Sequence, residues 1–422
     1  MENKMKTVHI FTSAAFNYIP KARMLFQSLR KYHPECVLHL ALADEGHAEI
    51  DLSLEPFDSV LPINELDIPD FRGWAFCHDI VELATAIKPF ALLKILSMPG
   101  CEKVLYLDPD TVVFSRLDDI LDALDQSNLA LTPHQTVPES SMSAVIDNEI
   151  CSLKHGVFNI GFIGVAASAE GKRFAEWWSQ RLYHFCRADI CNGLFTDQKW
   201  IDLVPAFFDG IAIMHTGRHN LATWNITTRD VTGDRKNGIL VDGEPLGFYH
   251  FTGFDSGNHR IMAAKNAKGN APVHELIKWY DQQTRDLGND PLARITWAYN
   301  TFTNGEKISR CQRVVYRERV DLQAAFPDPF ESSGFQSWWN TQGKSEYPAL
   351  FDEATEEAGL FKITSNLTPG YRGGKQEVNW NTTLSLFRTA LQDPKTRKNL
   401  VKHGWKVLRR EGFAGVRQRL SK

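Results

Sequence analysis

Asp108 and Asp110 are the residues whose type and spacing point most directly to chemistry. They flank Pro109 directly after the apolar run Val104-Leu105-Tyr106-Leu107. Such a run reads as a buried strand, so the two carboxylates leave its end one residue apart and can present oxygens to a single point. Hard divalent cations such as Mg²⁺ and Mn²⁺ bind a few carboxylates and complete their shell with water and phosphate oxygens. A cation held there would neutralise a diphosphate leaving group. The alternative is a strand-end turn in which Asp108 caps the next segment.

The elements that must position this pair alternate between strand and helix. Val8 to Thr12 and Val37 to Ala43 are short apolar runs of strand type, and Lys21 to Tyr32 carries Ala22, Leu25, Phe26 and Leu29 on one helical face. His33-Pro34 ends that helix. The stretch from Val81 to Ser97 has helical periodicity, bent or broken at Pro89. The order strand, helix, strand, helix, strand implies an α/β fold with a mainly parallel sheet and helices on both faces. Ligands of such sheets bind at the carboxyl ends of the strands, where Thr12, Ser13 and Tyr18, Asp44, and Asp108 to Asp110 all fall. Short strands are expected at Leu129 to Thr132, Gly161 to Val165, Ile211 to Met214 and Gly247 to Phe251, with a helix around Phe174 to Tyr183.

The chain has 422 residues, 43% of them apolar, enough for two domains or for one large domain with an appendage. No apolar run reaches the roughly 18 residues of a membrane span. The polar start predicts no signal peptide and hence a cytoplasmic protein. The seven cysteines form no Cys-x-x-Cys pair, which argues for reduced thiols and against a zinc site. The net charge is -4, yet residues 395–422 hold ten Lys or Arg against Glu411, leaving the rest strongly acidic. Leu400, Val401, Trp405 and Leu408 lie close to one helical face of that stretch. A basic amphipathic tail of this kind suits an anionic membrane surface.

Taken together, the motifs resemble bacterial glycosyltransferases of the nucleotide-diphospho-sugar transferase fold, GT-A. The likeness runs from Glu82-Leu83-Ala84-Thr85-Ala86-Ile87-Lys88-Pro89-Phe90 and Lys103 to Asp110 through His155-Gly156-Val157-Phe158-Asn159-Ile160-Gly161-Phe162. It continues in Phe195-Thr196-Asp197-Gln198-Lys199-Trp200 and His219-Asn220-Leu221-Ala222-Thr223-Trp224-Asn225, and ends in Phe248-Tyr249-His250-Phe251-Thr252-Gly253-Phe254. It covers residues 6–265 and looks most like the retaining glycogenin-like and galactosyltransferase-like branch. The resemblance implies a Rossmann-like GT-A domain over 1–280, a mostly helical C-terminal region over 281–394, and the basic tail 395–422.

The resemblance also implies roles. Asp108, Asp110 and His250 would bind Mn²⁺ or Mg²⁺, and through it a nucleotide-diphospho-sugar. Lys88 would face the donor, and Thr12, Ser13, Tyr18 and Asp44 would surround its base. Asn159, Asp197 and Gln198 would line the reacting sugar, with Trp224 and Asn225 on the acceptor side. The branch often carries Lys-Pro-Trp after its last motif; this chain has Phe254-Asp255-Ser256-Gly257-Asn258 there, leaving Lys265 as the candidate phosphate-binding lysine. The expected acceptor is a glycan or lipid-linked glycan, as in bacterial surface polysaccharide synthesis, with the enzyme peripheral on the inner membrane face and no nucleic-acid partner. The alternatives are a metal-dependent nucleotidyltransferase, which usually has a Gly-rich, basic first loop that Ser13-Ala14-Ala15-Phe16-Asn17 lacks, and a non-catalytic sugar-binding protein.

Overall fold

The computed structural model describes residues 7–46 and 51–364. The tail expected to meet a membrane, 395–422, lies outside the described residues.

The strands that frame the site are β1 (Thr7–Ala14), β2 (Val37–Leu42), β3 (Ser59–Pro62), β4 (Cys101–Leu107), β5 (Thr111–Val113), β6 (Leu129–Pro133), β7 (Phe158–Ala166), β8 (Ile211–Ile213) and β9 (Phe248–His250). All but β5 and β9 join one sheet in the order β8-β6-β7-β4-β1-β2-β3. Neighbours are parallel except at β7, which runs antiparallel to β4 and β6. The expected mainly parallel sheet is thus present.

The helices next to it are α1 (Ile19–Tyr32), α2 (Ile80–Ala86), α3 (Lys88–Leu96), α4 (Asp118–Gln126) and α5 (Ala169–Phe185). On one face Ile10, Leu38, Leu40 and Leu105 meet Leu25 and Leu29 of α1 and Ile120 and Leu124 of α4. Alternate strand residues turn to the other face, where α3 packs on β1 and β4 and against α5. The stretch 81–97 is two helices. The α2 helix opens with a reciprocal cap between Asp79 and Glu82 and ends at Ala86. The α3 helix starts at Lys88, with Pro89 in its first turn, where a missing N–H leaves no bond unmade.

The short strands β5 and β9 pair antiparallel with each other, His250 opposite Thr111. They hold a second core in which Val112, Tyr249 and Phe251 pack with Tyr280 and Leu276 of the helix Ala271–Thr284.

The described residues form two compact units, 7–313 with 328–336, and 314–327 with 337–364. The second is mostly helical, including Val320–Ala325 and Glu356–Thr364. Within it Arg319 binds Asp321 at 2.6 Å and Glu346 at 2.8 Å, and Trp339 stacks on Phe351. No helix of the described residues is long and apolar enough to cross a membrane.

Candidate active site

The site is built where β4 ends. Strand alternation puts Tyr106 and Asp108 on one side. The Asp108 N–H donates to Gly161 O across the sheet at 2.9 Å, and Thr111 N–H donates back to Asp108 O at 3.0 Å, so Asp108-Pro109-Asp110 is a tight turn between β4 and β5. Pairing of β5 with β9 then carries His250 to the turn, and Phe251 N–H donates to Asp110 O at 2.9 Å. His250 Nε2 ends 3.1 Å from Asp110 Oδ1 and 3.6 Å from Asp108 Oδ2.

The amide hydrogen bonds fix which way that imidazole faces. Asn159 Oδ1 accepts from Gly161 N–H at 3.0 Å, so its amide is oriented by the backbone. The same oxygen meets His250 Nδ1 at 3.2 Å, which makes Nδ1–H the donor and leaves the Nε2 lone pair toward Asp108 and Asp110. Gln198 holds Asn159 in turn: its Oε1 accepts from Asn159 Nδ2 at 3.3 Å and from Ile160 N–H at 3.2 Å, while its Nε2 donates to His155 O. Gly161 makes the close approach possible, since a Cβ there would lie 2.4 Å from His250 Cε1.

The donor atoms of Asp108, Asp110 and His250 lie within 4.8 Å of one another. Two carboxylates and an imidazole whose other nitrogen is hydrogen-bonded form a donor set that fits a divalent cation. The same carboxylates also draw a proton to the ring, which a bound cation would replace. Burial opposes charge on His250, but Asp110 and Asp108 outweigh it and hold the ring above its usual value. Burial likewise opposes ionisation of Asp110, and His250, with Lys21 behind it, keeps that carboxyl below its usual value.

Lys88, the first residue of α3, enters from the other side. Its Nζ lies 2.9 Å from Asp197 Oδ2 and 3.1 Å from Asp108 Oδ1, over the ring of Tyr106. Burial penalises the ammonium, yet the two aspartates overcome this and keep it charged. Burial raises Asp197, and Lys88 offsets only part of that. Tyr106 Oη donates to Asp108 Oδ1 at 2.5 Å.

These groups line a cavity of about 700 Å³, a size suited to a small-molecule ligand. Of the residues singled out in the sequence, Ser13, Tyr18, Lys88, Asp108, Asp110, Asn159, Asp197, Gln198, Trp224 and His250 line it. The structure does not bring Thr12, Asp44 or Lys265 there. Thr12 is fully buried beside Ser13, on the opposite side of β1 by alternation. Asp44 Oδ1 accepts from the backbone N–H groups of Glu45 and Ala298, a structural cap. Lys265, on the helix Asn258–Asn266, is paired with Asp147. Asn225 is occupied with backbone groups of Asn220, Ala222 and His134.

Sequence reasoning missed Tyr106 and Lys21. Tyr106 stands two residues before Asp108 in a strand, which is a same-side signal. Lys21 shares the buried stripe of α1 with Leu25 and Leu29, and a charge on an apolar stripe is a signal that something pairs with it.

Among the described residues one further cluster has metal-ligand types, His33, Glu35 and Cys36. Leu117 N–H donates to His33 Nε2 at 2.9 Å, so Nδ1 carries the proton toward Glu35 and offers no lone pair. Glu35 is also bound to Arg116 at 2.7 Å. That cluster is a structural latch.

Comparison with known proteins bears out the resemblance. Residues 9–172 match the model of glycosyl transferase family 8. Two proteins of Bacillus subtilis strain 168 are similar: YfnD is 26% identical over 59% of this chain and 79% of its own length, and YfnF is 26% identical over 63% and 87%. Among solved structures, the galactosyltransferase LgtC with donor and acceptor sugar analogues is 19% identical, with a TM-score of 0.39, over 68% of this chain and 98% of that one. Mouse xyloside xylosyltransferase 1 is 14% identical, with a TM-score of 0.35, over 59% and 98%. The family match, which spans less than half of the chain, and the mainly parallel sheet agree with the GT-A glycosyltransferase resemblance.

Proposed function

We propose that the chain transfers a sugar from a nucleotide-diphosphate donor to a glycan or lipid-linked glycan, with Mn²⁺ or Mg²⁺ held by Asp108, Asp110 and His250. The observation that carries this reading is the convergence of those three donor atoms in the cavity that also holds Lys88, Asp197, Gln198 and Asn159. A bound cation would supply positive charge to the departing diphosphate. Asn159 keeps the Nε2 lone pair of His250 pointed at the carboxylates. Lys88 holds Asp108 and Asp197 at fixed distances and adds positive charge beside the leaving group. Ser13 and Tyr18, at the end of β1, form the wall for the nucleotide.

Asp197 and Gln198 stand on the sugar side of the cavity. The carboxylate can steady positive charge on the anomeric carbon while Gln198 remains fixed by backbone groups, an arrangement that suits retention of configuration. Trp224, packed edge-on against His250 at 5.6 Å, offers an indole face to the acceptor. The basic stretch 395–422 would bring the enzyme to an anionic membrane carrying a lipid-linked acceptor during surface polysaccharide assembly.

The test is hydrolysis of a panel of nucleotide sugars with Mn²⁺ and with EDTA. Metal-dependent release of nucleoside diphosphate from one donor supports the reading. Release that EDTA leaves untouched refutes the metal, and no release from any donor refutes the assignment.

A further inference from the structure

We infer that Lys21 is an anion subsite of the cavity, taking a phosphate of the donor, and that Asp255 is a built-in competitor for it. This rests on the nucleotide-sugar reading above.

The argument starts from the position of Lys21 on α1. Its side chain is 8% exposed, and burying an ammonium is costly unless it is paired. The pairing is close: Nζ lies 2.5 Å from both carboxylate oxygens of Asp255 and 3.3 Å from Tyr18 Oη, above the Tyr18 ring. Tyr18 also donates to Asp255 at 3.2 Å. Tyr18 and Asp255 both line the cavity. Lys21 itself is not among the lining residues; it stands directly behind these two, so a ligand reaches its ammonium only where Asp255 moves aside.

The counterion is of a different kind from those of Lys88. Asp108 and Asp197 adjoin a strand and a helix inside the site. Asp255 is 64% exposed and sits on the segment between Gly253 and Gly257, which have φ of 69° and 78°. Both glycines hold left-handed backbone that other residues rarely adopt, so they set the turn that presents Asp255. It begins just past Phe251, whose N–H is tied to Asp110 O, so it hangs beside the metal-ligand turn.

A diphosphate approaching Asp108 and Asp110 therefore meets a buried ammonium already covered by an exposed, loop-borne carboxylate. Like charges repel, and a phosphate oxygen can take the place of the carboxylate oxygen on the same Nζ, leaving the lysine paired throughout. Lys265, the basic residue expected for this role, is held by Asp147 outside the cavity. Lys21 supplies the cation from the first helix, and the segment after His250 supplies an acid that must be displaced.

The experiment is a double-mutant cycle on binding. ADP, GDP, UDP and dTDP, each with Mn²⁺, are titrated into full-length protein and into Asp255→Asn, Lys21→Met and the double variant. For the nucleotide that wild type binds, Asp255→Asn should tighten binding about tenfold and Lys21→Met weaken it about tenfold, with the Asp255→Asn gain absent from the double variant. Asp255 is exposed, so its variant tests the idea even where Lys21→Met lowers the melting temperature. Unchanged or weaker binding by Asp255→Asn overturns the inference while leaving the donor site standing. The same gain in both backgrounds also overturns it, because it reports general repulsion instead of competition for Lys21. No binding of any diphosphate by wild type overturns the donor-site reading and this inference with it.

Discussion

Gly161→Ala is the sharpest test of the site, because the smallest possible side chain should disable it without touching a charged residue. A Cβ at 161 would stand 2.4 Å from His250 Cε1 and 2.7 Å from Asn159 Oδ1. Ordinary contact begins near 3.4 Å, so the imidazole must withdraw by about 1 Å, several times the roughly 0.2 Å within which metal-ligand distances are held. The strand itself cannot yield, because Gly161 O accepts from Asp108 N–H and Gly161 N–H donates to Asn159. Overpacking of this kind costs about 1–3 kcal/mol, which lowers the melting temperature by several degrees in a unit of this size. The expected signature is a folded protein with Mn²⁺ affinity down about tenfold to a hundredfold, read by calorimetric titration, and transfer lost in parallel. His250→Ala should do the same, and the double variant should be no worse than His250→Ala alone. Wild-type Mn²⁺ affinity in Gly161→Ala would falsify the claim that this glycine exists to seat the histidine.

Asp108→Asn and Asp110→Asn should each reduce transfer by on the order of a hundredfold or more with an unchanged melting profile; near-normal activity in either would remove the metal from the mechanism. Acid stability should report the buried imidazole pair on β1 and β2, where His9 Nδ1 and His39 Nε2 are 2.8 Å apart and burial pushes His39 down to about 4. The unfolded chain then binds more protons than the folded one between about pH 6.5 and 4, so stability falls as pH drops through that window, by on the order of 3 kcal/mol at pH 4. Urea titrations from pH 7 to 4 should show a slope to which His134 and His259, also pushed down to about 4 by burial, add their share, and His39→Asn should make it shallower; an equal slope in the variant assigns the loss elsewhere. A truncation ending at Asp393 should lose co-sedimentation with anionic liposomes at low salt while keeping activity on a soluble acceptor, whereas equal binding by both forms would clear the tail of that role.

Much of this was legible in the sequence because it is local. Strand β4 announces itself through Val104 to Leu107, and the strand end delivers Asp108 and Asp110 without any tertiary information. The break between α2 and α3 follows from Pro89. The pairing of β5 with β9 was not legible: three residues are too few to display a period, and their partners are far apart along the chain. The position of His250 was read from resemblance alone, and the reason it can sit there, Gly161, emerged only with the fold. That Asp44 and Thr12 do not line the cavity was not legible, because the end of a strand does not say which side chain turns inward. Lys265 was named from its place after the last motif, and sequence position could not show that it would pair with Asp147.

The antiparallel seam between β5 and β9 has a consequence for how the protein is made. His250 is synthesised 140 positions after Asp110. At about 5–20 residues per second, a nascent chain carries its two carboxylates for on the order of ten seconds before the imidazole that completes the trio exists. During translation the early strands must stand without whatever stability a bound ion adds. The segment matched by the family model, 9–172, stops short of β9, so a polypeptide of that length cannot bring His250 to Asp108 and Asp110. Premature termination anywhere before residue 250 should release an inert product instead of an enzyme that consumes its donor unchecked.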